Sequence, residues 1–331
     1  MVRLSGALLV AVAVLVPARS ARAEKITIMV GGIEKQIYLP AKLAEQLGYF
    51  KEQGLEVELL TEPAGVQAEN AMLAGEVQGV VGFYDHSIDL QSKGKFVESV
   101  VQFSQAPGEV ELVSAKVADK LRSPADFKGK HLGVTGLGSS TSFLTQYLAV
   151  RNGVKMGEFV LVPVGAGSTF IAAIQQGKID AGMTTEPTVS RLLKTGEAKV
   201  LVDLRSPAKT SAALGGPYPA ACLYAQTSWV DKHKPEVQKL ANALVKALSY
   251  IHDHPAAEIA EKMPKDYYAG DKELYLTALR GEMGMYSPDG KMPKGGPEFI
   301  PSVLQQFDEN VKDKQIDLSK TYTTEFVDKA N

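Results

Sequence analysis

Cysteine is almost missing from this chain. Its single thiol, Cys222, has no partner for an internal disulfide, so no covalent frame holds the fold and no C-x-x-C metal or redox motif exists. Tryptophan occurs once and histidine five times. No H-E-x-x-H, P-loop or G-x-S-x-G pattern is present, which removes three common signatures of hydrolytic and nucleotide chemistry. His252-Asp253-His254 has the look of a metal pair, but it stands at a helix end before Pro255 and reads as a solvated terminus. No metal, cofactor or catalytic residue is expected. The nearest thing to a nucleophile set is Ser139 or Ser140 with His86, residues that fall in different halves of the chain. Neither charge dominates, with 36 Lys and Arg against 38 Asp and Glu. No basic tract stands out, so nucleic acid is not an expected partner.

Long apolar runs are also scarce. One opens the chain, Leu4–Val16 after Arg3, and is followed by Ala21-Arg22-Ala23. At about thirteen residues it is short of the roughly 20 needed to cross a bilayer. A basic start, a short apolar core and an A-x-A site read as a secretory signal peptide cut after Ala23. No cysteine follows the cut, so a lipid anchor is not expected. The implied product is a monomer exported to the periplasm. It has 33 basic residues against 38 acidic ones. In that compartment Cys222 reads as a small buried hydrophobe.

What is present is alternation of short apolar strands with helices. Strands are expected at Lys25–Gly31, Leu55–Leu60, Val77–Phe83 and Phe96–Phe103, with helices at Leu39–Leu47, Gln67–Ala74 and Ser87–Ser92 between them. The order recurs. Strands His131–Thr135, Phe159–Val164, Asp180–Thr184 and Lys199–Leu204 alternate with helices Ser140–Arg151, Ser168–Gln176 and Thr188–Leu193. LAGEVQGVVG (Leu73–Gly82) aligns weakly with IQQGKIDAGM (Ile174–Met183), Gly75 falling on Gly177. Arg205–Pro219, rich in Pro and Gly, reads as a loop or crossover. It leads to a strand at Ala220–Ala225 and a helical tail that packs back on the first half. The expected fold class is α/β: two doubly wound α/β lobes joined by a hinge, with a ligand cleft between them. The lobes are 24–110 with 207–331, and 111–206.

Ligands of doubly wound sheets sit beyond the carboxyl ends of the strands. The segments following the strands therefore supply the candidate site. In the first lobe they give Glu34, Lys35, Gln36, Tyr38, Tyr84, Asp85, His86 and Gln105. In the second they give Gly138, Ser139, Ser140, Thr141, Gly167, Ser168, Thr185 and Glu186, and the crossover adds Tyr218. The sharpest signal is HLGVTGLGSSTSFLTQYLAVRNG (His131–Gly153), in which a strand runs through a Gly/Ser turn into a helix. Ser139 or Ser140 is a natural N-cap. The first N–H groups of the helix are free to receive an acceptor or anion. No Asp or Glu lies between Asp126 and Glu158 to compete for them. Lys128, Lys130, Arg151 and Lys155 add positive field. Several of these residues have plainer roles open to them: Asp85 as an N-cap, and Pro187 after Glu186 as the opening of a helix.

These segments resemble a known family. YLPAKLAEQLGYFKEQGLEVEL (Tyr38–Leu59), LRSPADFKGKHLGVTGLGSSTSFLTQYLAVRNGV (Leu121–Val154), AAIQQGKIDAGMTTEP (Ala172–Pro187) and YDHSIDLQSKGK (Tyr84–Lys95) are similar to periplasmic solute-binding proteins of nitrate/sulfonate/taurine-type ABC transporters. The resemblance implies a type II periplasmic-binding fold that closes on a solute and docks on a membrane permease. It maps the family's binding loops onto Glu34–Tyr38, Ser139-Ser140 and Glu186-Pro187. Glu34-Lys35-Gln36 departs from the small uncharged residues common there, and the cysteine-rich motif of the related pyrimidine-synthesising enzymes is absent. The expected solute is a small organic anion: a sulfonate, a taurine-like zwitterion, nitrate or an aromatic carboxylate. The alternatives are a neutral heterocycle such as a pyrimidine, thiamine or flavin precursor, or an enzyme on the same fold.

Overall fold

A computed structural model describes residues 24–330; the expected signal peptide, 1–23, lies outside the described residues. β1 (Glu24–Val30) and β2 (Leu55–Thr61) pair in parallel, with Ile28 opposite Leu59. β3 (Gly79–Phe83) is buried along its whole length and pairs in parallel with β1. β4 (Val97–Gln102) completes the first half. The second half holds β5 (Glu109–Ser114), β6 (His131–Val134), β7 (Val160–Pro163), β8 (Ala181–Thr185) and β9 (Ala198–Asp203), and β10 (Ala221–Gln226) follows.

These strands form two five-stranded sheets, ordered β2-β1-β3-β10-β4 and β7-β6-β8-β5-β9. Both sheets are mixed rather than wholly parallel. In each, the inserted strand is antiparallel to its neighbours: β10 in the first sheet and β5 in the second. The reason is connectivity. β5 follows β4, and β10 follows β9, so both crossing segments leave one sheet and enter the other. Each inserted strand starts level with a neighbour's carboxyl end, Glu109 opposite Thr185 and Ala221 opposite Phe83. A chain that enters a sheet from the cleft side must run away from the cleft, against the other strands. The result is two lobes whose strand ends face each other, a type II periplasmic-binding arrangement.

Two elements differ from the sequence expectation. β5 is absent from the pattern read above, because its buried Glu109 and Glu111 hide an apolar environment behind a polar sequence. The expected loop Arg205–Pro219 contains a helix, Pro207–Leu214. Ser206 caps it by accepting from the Lys209 N–H, and Pro207 sits in its first turn, where a missing N–H costs nothing.

The helical tail packs on the first lobe as its periodicity demands. Lys234–Asp253 lays Val237, Leu240, Leu244, Leu248 and Ile251 against Leu39, Leu43 and Phe50, a 3.6-residue stripe. A second apolar cluster joins the lobes. Tyr84 and Ile88 from the first meet Phe143, Leu144 and Leu148 from the second, with Ile300 and Leu304 of the tail helix Gly296–Leu304.

Candidate functional site

The helix Ser140–Arg151 starts where the sequence places it, with Ser139 in extended conformation as its cap residue. The Ser139 hydroxyl does not cap it. It donates to Gly136 O at 2.6 Å and forms a triangle with the hydroxyls of Thr135 and Thr141, at 3.0 and 2.9 Å. Thr141 Oγ1 also accepts from the Thr135 N–H at 3.0 Å. The turn is thus rigid and internally satisfied. The backbone N–H groups of Ser140 and Thr141, in the first turn, have no intrahelical acceptor.

An acid does face this helix start, and it comes from the other lobe. Ser140 Oγ donates to Asp85 Oδ2 at 2.7 Å, and Tyr218 Oη donates to the same oxygen at 2.8 Å. The acid-free stretch of sequence is therefore closed by a carboxylate 55 residues away. The expected positive field is weak here. Lys128 is paired with Glu158 at 2.7 Å, and Arg151 sits at the far end of the helix against Tyr147.

His86 follows Asp85 and is buried. Its Nδ1 lies 3.1 Å from Tyr224 Oη and 3.4 Å from Glu69 Oε2. Its ring passes so close to Gly65 that a Cβ there would lie 2.6 Å from Cε1, so glycine is required. Glu109 opens β5 and is buried. Burial, reinforced by the nearby Asp85 charge and only partly offset by Lys35, holds its carboxyl well above the ordinary range. Lys35 is buried too, and burial pushes its ammonium down to about 8. Its Nζ donates to Gly31 O at 2.5 Å and Pro63 O at 3.1 Å. Burial, with the charges of Glu109 and Asp85, raises the Tyr38 phenol.

These groups surround one closed cavity between the lobes. It is lined by Lys35, Ile37, Tyr38, Gly65, Phe83, His86, Glu109, Thr135, Ser139, Ser140, Thr141 and Thr185, and about 10 Å³ stands open at its centre. That is the room of a single water, so the lobes are shut. Four buried polar atoms in or beside it, Asp85 Oδ1, His86 Nε2, Glu109 Oε2 and Thr185 Oγ1, have no hydrogen-bond partner among the described residues. An outer recess of about 250 Å³ is lined by Glu34, Lys35, Gly167, Ser168, Glu186, Arg191, Asp266 and Tyr267, among others.

Of the residues picked from the sequence, Lys35, Tyr38, His86, Ser139, Ser140, Thr141 and Thr185 line the cavity, and Asp85 and Tyr218 stand directly behind Ser140. Glu34, Gly167, Ser168 and Glu186 line the outer recess. The Glu186 carboxylate is already engaged, by Ser190 N and Oγ at 2.9 Å each and by Arg205 Nη1 at 2.8 Å. Besides Asp85 and Tyr218, four residues line neither space. Gln36 is tied to the tail through Tyr275 O and Tyr286 Oη. The Tyr84 hydroxyl meets Thr321 Oγ1 at 2.5 Å. Gln105 bonds Met285 O through its backbone, and Gly138 supplies the positive φ of 83° in the turn. Ser140 is bonded to Asp85 rather than to His86, so the imagined nucleophile pair does not form in this closed state. Glu109, Thr135, Gly65 and Phe83 were missed, while Ile37 falls within the expected Glu34–Tyr38 loop. Thr135 ends an expected strand and was within reach of the same reasoning; Glu109 carried no local signal.

Two mixed α/β sheets with facing strand ends and a polar cavity between them define the periplasmic-binding class. Within that class, the chain belongs to the NMT1/THI5-like family, whose model matches residues 38–258. It is 35% identical to a protein from Bordetella bronchiseptica RB50 of known structure, over 93% of this chain and 96% of that one, with a TM-score of 0.88. The alkanesulfonate-binding protein of Xanthomonas axonopodis pv. citri, solved with MOPS, shares the fold at 18% identity and a TM-score of 0.72, over 92% and 99% of the two chains. A 4-amino-5-hydroxymethyl-2-methylpyrimidine phosphate synthase of Saccharomyces cerevisiae is 26% identical over 245 residues, 70% of this chain and 68% of its own.

Proposed function

We propose that this chain is the exported solute-binding component of an ABC importer, a periplasmic monomer that shuts on one small solute and presents the closed form to a membrane permease. The hinge lies in the two crossing segments, 104–108 and 204–220, near the expected lobe boundaries at 110 and 206. The observation that carries the reading is the set of unpartnered polar atoms around the interlobe cavity. A buried polar group without a partner costs about 1–3 kcal/mol, and a solute that joins both lobes recovers that cost only when they close. The alkanesulfonate-binding relative supports the class. In this reading the lobes close on the solute less tightly than in this shut form, whose cavity has room for one water; the free N–H groups of Ser140 and Thr141 meet an acceptor or anionic end of the solute, while Ile37, Tyr38 and Phe83 wall its apolar body.

A second reading keeps the import role and makes the solute a heterocycle. The buried acids favour it, as does the kinship with pyrimidine phosphate synthases. No turnover belongs to either reading.

The test is native mass spectrometry of whatever co-purifies, followed by thermal denaturation with sulfonates, nitrate, aromatic carboxylates and amino-heterocycles. A true solute at a hundredfold excess over Kd adds about 2.7 kcal/mol. No co-purifying molecule and no stabilising compound would defeat the proposal, as would conversion of a bound compound on prolonged incubation.

A further inference from the structure

One carboxyl in the cavity wall and a second just behind that wall, against Ser140, come from opposite lobes. Glu109 opens β5 of the second sheet, and Asp85 opens the helix that follows β3 of the first. Both are buried. Asp85 has one oxygen engaged, by Ser140 and Tyr218, and leaves Oδ1 without a partner among the described residues. Glu109 lines the cavity with Oε2 equally unpartnered. The cation beside them bonds neither oxygen: two of the three Lys35 Nζ hydrogens go to Gly31 O and Pro63 O. His86 Nε2 stands 3.9 Å from Asp85 Oδ1, beyond hydrogen-bond reach.

We propose that Asp85 and Glu109 form an interlobe clamp for a nitrogen group on the solute, an amine, amidine or ring amino group, so that its recognition and lobe closure are one event. The inference rests on the cavity being the solute site, and it narrows the solute class. The chemistry is donor counting with charge. Asp85 Oδ1 lacks a hydrogen, and Glu109 keeps its own proton in the empty cavity because burial raises its carboxyl. An NH₃⁺ group supplies a hydrogen to each carboxyl and the positive charge that lets Glu109 ionise, while an amidine or ring amino group gives a hydrogen to Asp85 and accepts the Glu109 proton at its imine or ring nitrogen. A solute hydroxyl brings no charge, and a carboxylate or sulfonate brings no hydrogen for Asp85. A donor that bridges the lobes binds the closed form alone, which is the condition for driving closure. A divalent metal is disfavoured, since no group of three metal-ligating side chains occurs among the described residues.

The experiment compares matched probes by calorimetry at one pH: taurine with isethionate, β-alanine with 3-hydroxypropionate, benzylamine with benzyl alcohol, and 4-aminopyrimidine with pyrimidine. Nitrate and sulfate serve as bare anions. In at least one pair the nitrogen member is expected to bind tenfold or more tightly than its match. Glu109→Gln, checked for a cooperative melt, is expected to narrow that ratio below twofold. Asp85→Asn carries the same readout should the first variant not fold. Equal or tighter binding of the oxygen or unsubstituted member in every pair overturns the proposal, and so does an unchanged ratio in both variants or a co-purified solute without an N–H group. Binding of nitrate or sulfate with none of the nitrogen probes overturns the clamp and leaves the importer reading standing. If no probe binds and nothing co-purifies, the importer reading fails and the clamp with it.

Discussion

Glu111 makes the electrostatics of β5 measurable through stability. It is buried, accepts from Thr145 Oγ1 at 2.9 Å through Oε2, and has Oε1 unpartnered among the described residues. Burial pushes its carboxyl from 4.5 up to about 8, with the Thr145 hydrogen bond opposing the rise. The sign follows from which state holds the proton. Below pH 4.5 both folded and unfolded chains are protonated and Glu111 does not affect the balance. Above it the unfolded chain releases the proton first, so folding is disfavoured by about 1.4 kcal/mol per pH unit until the folded carboxyl ionises near 8. At pH 7, some 2.5 units above the unfolded value, the penalty is about 3 kcal/mol. Glu111→Gln keeps the shape and an acceptor for Thr145 and removes the penalty. The variant should therefore be more stable than the parent by about 3 kcal/mol at pH 7 and by about 1 kcal/mol at pH 5, and the gap should level off above pH 8. Urea denaturation followed by circular dichroism across that range measures it. A gap that does not vary with pH, or no gap at pH 7, would refute the assignment of a neutral buried carboxyl.

Three further outcomes are expected. Arg205→Met strips the buried Glu186 of its 2.8 Å cationic partner. Breaking a buried pair costs about 3–5 kcal/mol, so a loss under about 1 kcal/mol on thermal denaturation would show that Ser190 alone satisfies that carboxylate. Ser140→Glu sets a second carboxylate against Asp85, whose Oδ2 lies 2.7 Å from the present hydroxyl. It should abolish solute binding and enlarge the radius of gyration in small-angle scattering while leaving each lobe folded; unchanged affinity would remove the helix start from the site. Cys222 is fully buried and burial pushes its thiol up, so thiol reagents should label it only in denaturant, and prompt labelling of the native protein would contradict that burial.

What was legible in the sequence was local. Apolar runs reported β1, β3, β6 and β8, and the Gly/Ser turn reported the start of the Ser140–Arg151 helix to the residue. What was not legible depends on crossings. Glu109–Ser114 alternates with glutamate on one face, and nothing nearby tells that the face is buried between strands. The Pro207–Leu214 helix had readable signals in Ser206 and Pro207, obscured by the Pro and Gly residues that follow it. The site residues divide in the same way. The hydroxyl turn at Thr135–Thr141 is encoded within seven residues. The Asp85 contact with Ser140 and the engagement of Glu186 by Arg205 require the fold first.

The closed form is held partly by the chain itself. Ser140 reaches Asp85 across the cleft, the Gln36 N–H donates to Glu186 O at 3.2 Å, and Lys194 of the second lobe pairs with Asp271 of the tail at 2.5 Å. None of these contacts needs a solute, so they set how often the lobes shut without one. A solute shifts that equilibrium only through groups it satisfies in the closed form and not in the open one. On the proposed reading those groups are Asp85 Oδ1, the Glu109 carboxyl, the ring nitrogen of His86 and the first amides of the Ser140–Arg151 helix. Selectivity then resides in the pattern of donors and acceptors that completes this set, and the self-closing contacts fix how much of the closure free energy that pattern must supply.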